Sequence, residues 1–167
     1  MVMGRTFHVT EKPVELEGYQ AILKPSQYGH SLSAVVTNEV IKPLETERVE
    51  VLKWAESKLR NPRRSVLKPT PWEQLQPNTY KIKFSWKERK EVFVINSQGD
   101  EIEDTNAPLY SSSLVRLIFC QRPYILEDQS YGTRLVLKAV LVVKTSDPVK
   151  PEGDDLTLED VRKMFGL

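Results

Sequence analysis

Segment after segment of this chain alternates apolar and polar residues with a period of two, and strand follows strand with little helical spacing between. Tyr19–Lys24, Ser31–Thr37, Thr79–Trp86, Glu91–Asn96, Leu114–Arg122 and Arg134–Lys144 all read this way. Successive side chains of a strand point to opposite faces, so this period marks a strand with one face buried. Strands joined without helices pair antiparallel, because a parallel connection needs a long crossover. The chain is therefore mostly β, and a small antiparallel barrel or sandwich is expected. Asn96-Ser97-Gln98-Gly99-Asp100 reads as a turn, since Asn and Gly tolerate positive φ.

One helix breaks the series, between Thr46 and Arg60. Arg48, Leu52, Ala55 and Leu59 recur there at helical spacing with Val51 beside them. Glu45, Glu47 and Glu50 gather at its start and Lys53, Lys58 and Arg60 toward its end, as the helix dipole favours. Pro62 stops it. A lone helix in such a chain is expected to cap an open end of the barrel. Residues 61–78 hold 4 of the 11 prolines and read as a long loop, which Arg63, Arg64, Lys68 and Trp72 make a basic arm with one aromatic. From Asp147, the residues Pro148, Pro151 and Gly153 form a linker. Thr157 and Asp160 then resemble a capping box, and Leu158, Val161 and Phe165 line one side of a helix too short to stand alone. The expected division is a body over 1–146 and an interaction tail over 147–167.

The 167 residues are 40% apolar and 28% charged, which suits one folded domain. A single cysteine, Cys120, excludes an internal disulfide and fits a reducing, cytoplasmic setting. With only His8 and His30 beside it, a structural zinc site lacks ligands. Ala139–Val143 is far too short to span a membrane, and neither a signal peptide nor a lipidation motif is read at the start. No phosphate-binding glycine loop, nucleophile elbow or zinc-protease motif occurs, so no enzyme, cofactor or metal is expected. The run Asp100-Glu101-Ile102-Glu103-Asp104 fits a solvated hairpin end. Binding is the better class.

The formal net charge of +1 hides an asymmetry: residues 53–90 carry 11 Lys/Arg against Glu56, Glu73 and Glu88, whereas 147–167 carry six acids and three bases. A basic body with an acidic tail suggests a polyanion binder. Alternation places Lys81, Lys83 and Lys87 outward from the core face of Tyr80, Ile82, Phe84 and Trp86. It places Val115, Leu117 and Phe119 opposite Arg116, Arg122 and Tyr124. It makes Leu135, Leu137, Leu141 and Val143 core, with Arg134 and Lys138 pointing away. Cations on three strands with an aromatic among them fit a single-strand nucleic-acid binder, which pairs a cationic groove with stacking rings. The competing readings are a β-barrel adaptor of a virion and an RNA-binding OB domain.

Thr79–Phe84, Val92–Asp104, Ser111–Tyr124 and Gly132–Val143, preceded by Ala21–Gly29 with its Lys24-Pro25 pair, resemble in order the single-stranded DNA-binding proteins of short-tailed bacteriophages. That resemblance, over about 20–145, implies an OB-fold-like antiparallel barrel with one capping helix. It implies single-stranded DNA as partner in phage replication, recombination and repair, strand annealing, a homodimer, contacts to the phage polymerase and primase-helicase, and residence in the host cytoplasm. By position, Lys83 and Tyr124 match groove residues of the family, and Arg63 or Arg64 a loop residue tied to annealing. The phosphate contacts expected here are Arg63, Arg64, Lys68, Lys81, Lys83, Arg122, Arg134 and Lys138, with Tyr124 stacking on a base. The family's second stacking aromatic falls on Ser85, and Trp86 takes its place only if a bulge turns it outward. The tail residues expected to meet DNA or a partner are Asp154, Asp155, Leu158, Val161 and Phe165. The chain runs on past Phe165 through Gly166-Leu167, where the family ends on its aromatic.

Overall fold

The computed structural model describes residues 6–103, 109, 111–145 and 157–166. Its strands are β1 (His8–Val9), β2 (Val14–Leu16), β3 (Ala21–Ser26), β4 (Gly29–Thr37), β5 (Trp72–Gln76), β6 (Thr79–Trp86), β7 (Phe93–Ile95), β8 (Leu114–Ile125) and β9 (Tyr131–Lys144); its helices are α1 (Asn38–Lys58) and α2 (Leu158–Met164). All nine strands join one sheet in the order β5-β6-β4-β2-β8-β9-β7, with β3 added on β4 and β1 on β8. β2 is the bridge between the halves: Leu16 pairs with Ala34 of β4, and Val14 with Val115 of β8. The far walls, β6 and β9, face each other without a ladder among the described residues, so this OB-like barrel is open along that seam. Pairing is antiparallel except for β7 on β9.

The alternation of β6 is realised as read. Ile82, Phe84 and Trp86 are buried, Lys83 and Ser85 exposed, and the ladder to β4 runs unbroken from His30–Trp86 to Thr37–Thr79. On β9 the phase fails. Ile118 pairs with Ala139 but Phe119 with Leu137, so Lys138 has no opposite number and forms a bulge. One extra residue reverses inside and outside beyond it. Leu135 and Leu137 are core as expected, but Val140 and Val142 replace Leu141 and Val143, which face outward, Val143 being 42% exposed.

The helix is longer than its expected start at Thr46. Ile41 and Leu44 are fully buried and extend the stripe through Val51 and Ala55. Fully burying such side chains stabilises the fold by roughly 1.5–3 kcal/mol each, which outweighs the break that Pro43 suggests. The helix ends at Lys58, where Leu59 turns extended ahead of Pro62. Ala55, Leu59 and Tyr131 form a second small core that fastens the end of α1 to the β8–β9 hairpin. The main core joins both halves of the sheet, with Phe84 and Phe119 meeting at 5.5 Å between ring centroids.

Residues 61–78 are not wholly a loop. Trp72–Gln76 forms β5, paired with β6, and Trp72 is buried opposite Ile82 rather than displayed on an arm. The short β1 and β2 give no periodicity to read, because two or three residues cannot establish one. The turn at Asn96 is confirmed: its Oδ1 accepts from the backbone N–H groups of Gln98 and Asp100, and Gly99 has a φ of +87°. Asp100, Glu101 and Glu103 are exposed there; Asp104 lies outside the described residues. No helix is long and apolar enough to cross a membrane among the described residues.

Candidate nucleic-acid interface

The β8–β9 hairpin assembles the first part of the site. Arg122 stands directly opposite Arg134, and Tyr124 opposite Gly132, all on one face because residues two apart share it. Gly132 leaves room for the tyrosine. A Cβ built on it would lie 2.9 Å from Tyr124 Oη, 3.1 Å from Cζ and 3.3 Å from Lys68 Cβ. The end of the Tyr124 ring therefore covers Gly132, and Lys68 Cβ lies on the same side of that glycine.

Lys68 is held by backbone. Its N–H donates to Tyr131 O at 2.7 Å, and its carbonyl accepts from Arg48 Nη2 at 3.1 Å. Arg48 also donates through Nε to Thr133 Oγ1 at 3.2 Å. Burial lowers the affinity of this guanidinium for its proton, while the adjacent Tyr124 and Tyr131 partly offset that. Arg48 thus ties α1, the 61–70 connection and β9 together beneath Tyr124. A charged residue in the apolar stripe of α1 was the sequence signal for this role.

Arg63 and Arg64 are exposed on the same connection. The connection is an anchored strap: Arg60 N–H donates to Gln129 Oε1 and Tyr131 N–H to Val66 O, and Arg64 N–H closes a turn on Asn61 O. Arg63, Arg64 and Lys68 are thereby carried to the end of the hairpin that bears Tyr124.

The second part is a cleft of about 490 Å³ along the open seam, lined by Ser85, Trp86, Lys87 and Glu91 on one side and residues 134–138 on the other. Arg134 and Lys138 face Lys87 across it, with Glu91 the one acid in its lining. Lys83 lies two residues up β6 from Ser85, exposed on the same face. Lys81 is half-buried and directly opposite Glu73 of β5, which partly compensates its charge. None of these cations forms an ion pair among the described residues, where the carboxylate pairs are His8–Glu47, Lys12–Glu39 and Lys53–Glu50. Lys87 was legible as outward-facing, yet its place in the cleft required knowing that β6 and β9 meet.

Trp86 is not turned outward. The β4–β6 ladder has no bulge there, so the indole stays on the inner face, 8% exposed and stacked on His30 at 5.4 Å with the planes 7° apart. His30 Nδ1 lies 2.9 Å from Ile22 O, which fixes that nitrogen as the donor, whereas Trp86 Nε1 is buried without a hydrogen-bond partner among the described residues. Trp86 reaches the cleft as its floor.

The tail helix starts as its sequence predicts. Thr157 Oγ1 accepts from Asp160 N–H at 3.1 Å, and Asp160 Oδ2 accepts from Thr157 N–H at 3.3 Å. Leu158 is 68% and Phe165 77% exposed, while Val161 is half-buried. Asp154 and Asp155 lie outside the described residues.

No family model matches the sequence, and no curated protein does. Solved structures do match. Gp2.5, a single-stranded DNA-binding protein encoded by bacteriophage T7, superposes with a TM-score of 0.67 at 16% identity, covering 93% of this chain and 99% of that one. The single-stranded DNA-binding protein from bacteriophage Enc34 gives 0.60 at 15% identity over 93% and 89% of the two chains. Its complex with single-stranded DNA gives 0.57 at 16% identity over 85% and 88%. At such identities the likeness is one of fold, and the fold of this chain is that of phage single-stranded DNA-binding proteins.

Proposed function

We propose that this protein binds single-stranded DNA without sequence preference and is not an enzyme. The observation that carries the reading is the set of cations Arg134, Lys138 and Lys87 lining the open seam, with Arg122 opposite Arg134, none of them ion-paired among the described residues, and Tyr124 over Gly132 at one end. Like charges directly opposite across a ladder are destabilising unless an anion joins them. A phosphate backbone supplies anions at regular spacing, and a ring beside them stacks on any base. The likeness to a phage protein seen in complex with single-stranded DNA supports the same reading.

In this reading Arg122, Arg134, Lys138, Lys83 and Lys68 neutralise phosphates, with Lys81 a weaker contributor beside Glu73. Tyr124 stacks, and Trp86 forms the floor. Arg63 and Arg64, on the strap, meet a second strand during annealing. The setting is phage replication, recombination and repair. The tail, through Asp154, Asp155, Leu158, Val161 and Phe165, contacts a second copy of the chain or the polymerase and primase-helicase.

The test is a fluorescence-anisotropy titration of labelled oligo-dT across a salt series, with duplex and oligo-U as controls. If about five phosphates are contacted, log K falls against log salt with a slope of roughly −3.5. Binding should be much weaker to duplex. Tighter binding to oligo-U would move the assignment to RNA. No binding to any of the three at low salt, with and without the tail, would leave a virion adaptor as the better reading.

A further inference from the structure

The β3–β4 hairpin places a tyrosine where the fold makes no use of it. The turn is built by its neighbours: Ser26 Oγ accepts from Tyr28 N–H and donates to Gly29 O, each at 3.1 Å, and Gly29 adopts a φ of +96°. Tyr28 itself is 89% exposed, the most exposed large apolar side chain among the described residues. No hydrogen bond or ring contact engages its side chain there.

Its position is fixed by Gly29. A Cβ on that glycine would lie 2.9 Å from Trp86 O and 3.9 Å from Lys87 Cα, and His30 is the ladder partner of Trp86. The hairpin tip is therefore pressed against the end of β6, where Ser85, Trp86 and Lys87 form one wall of the basic cleft. Lys24, exposed on β3 of the same hairpin, adds a cation.

We infer that Tyr28 is a second base-stacking platform, at the rim of the cleft beside the end of its β6 wall, with Tyr124 on the β8–β9 side of the seam. The inference rests on the single-stranded DNA reading and extends it. A tyrosine offers a flat, rigid contact surface with only two side-chain torsions to fix. Its neighbours Lys24 and Lys87 would hold the flanking phosphates. Ser85, the adjacent outward residue of β6, has no ring, so a base entering from this side meets Tyr28 first.

The test compares the full-length protein with Tyr28→Ala and Tyr28→Phe, using oligo-dT and an abasic strand of equal length across a salt series. Tyr28→Ala should weaken oligo-dT binding on the order of 5- to 100-fold. Its salt slope should stay at the parent value, because no phosphate contact is removed, and its thermal midpoint should not move. Tyr28→Phe should bind as the parent does, and the abasic strand should not distinguish the alanine variant from the parent. If the parent fails to bind oligo-dT, the DNA reading itself falls. If the parent binds and Tyr28→Ala binds equally well, only the second platform is overturned. Equal weakening by Phe and Ala, or the same loss on the abasic strand, would also overturn it, by assigning Tyr28 a hydroxyl-to-backbone contact.

Discussion

The ring of Tyr124 lies over Gly132, its cross-strand partner, so closely that a methyl group on Gly132 would stand 2.9 Å from the phenolic oxygen. The closest obstruction is the end of the Tyr124 side chain, with Lys68 Cβ next at 3.3 Å, so Gly132→Ala is predicted to displace the ring. If Tyr124 stacks on a base, alanine at 124 should cost on the order of 1–3 kcal/mol of DNA affinity. Gly132→Ala should lose part of the same energy and nothing further when added to Tyr124→Ala. A double-mutant cycle read by anisotropy checks this.

Arg122 and Arg134 make a different prediction, because stability and affinity should move in opposite directions. Replacing either by glutamine relieves a like-charge pair and should raise stability by about 0.2–1 kcal/mol. The same change should flatten the salt dependence of single-strand binding by about 0.7 in slope. Urea unfolding and a salt series on each variant are sufficient. Loss of affinity at constant slope would remove the arginine from the phosphate track.

The helix offers a paired test of packing against backbone. Leu44→Ala, at a fully buried position, should destabilise by about 2–5 kcal/mol. Pro43→Ala, one residue away but exposed, should stabilise by about 1–3 kcal/mol, because it restores a helical N–H and removes a ring from the helix interior. Opposite shifts in the urea midpoint are expected from neighbouring residues.

Alkaline pH should loosen the attachment of α1 to the hairpin. Burial, and then the hydrogen bond that Tyr131 Oη donates to Glu56 at 3.0 Å, hold the phenol above its usual range. The folded state thus favours the protonated tyrosine. This contribution is complete below the unfolded phenol's pKa, near 10, and is lost as pH rises through the higher folded value. Tyr131→Phe should flatten the alkaline limb of a stability–pH profile. At the other extreme, Ser130 lowers the Asp128 pKa through side-chain and backbone hydrogen bonds. That contribution is present above the unfolded carboxyl's pKa and fades as pH falls through the lower folded value.

Removing 147–167 takes away six acids and three bases, so formal net charge rises from +1 to +4. If the tail competes for the cleft, the truncated chain should bind oligo-dT more tightly at low salt, with a steeper salt slope. Unchanged affinity, with loss of self-association by sedimentation, would instead make the Leu158, Val161 and Phe165 face a docking element.

Much of this was legible where alternation was strict. β6 shows apolar and polar residues in turn, and an unbroken ladder to β4 preserved that phase to Trp86. Beyond Lys138 the run Ala139-Val140-Leu141-Val142-Val143 is apolar at every position, so nothing in its pattern could reveal which parity faced inward. Pro43 hid the first two turns of α1, and the prolines around Trp72 hid β5, because both breakers sit at exposed or marginal places where packing nearby prevails. The cations were readable one strand at a time. Their convergence across the seam was not, because the meeting of β6 and β9 is set by the barrel, and neither was the dependence of Tyr124 on a glycine.

The unpaired Lys138 in β9 carries a last consequence, about how this strand can vary in length. Before the bulge its outer face is cationic, with Arg134; after it the same face is oily, with Leu141 and Val143 near the exposed Ile118 and Phe93. Two neighbouring patches of opposite character are thus cut from one strand by a single residue. Deleting that residue would leave Leu137 opposite Phe119 and Ala139 opposite Ile118, so the ladder would close regularly with Val140 and Val142 still inside. Loops elsewhere in such a barrel tolerate insertions and deletions, and at this point the strand itself carries one residue of slack.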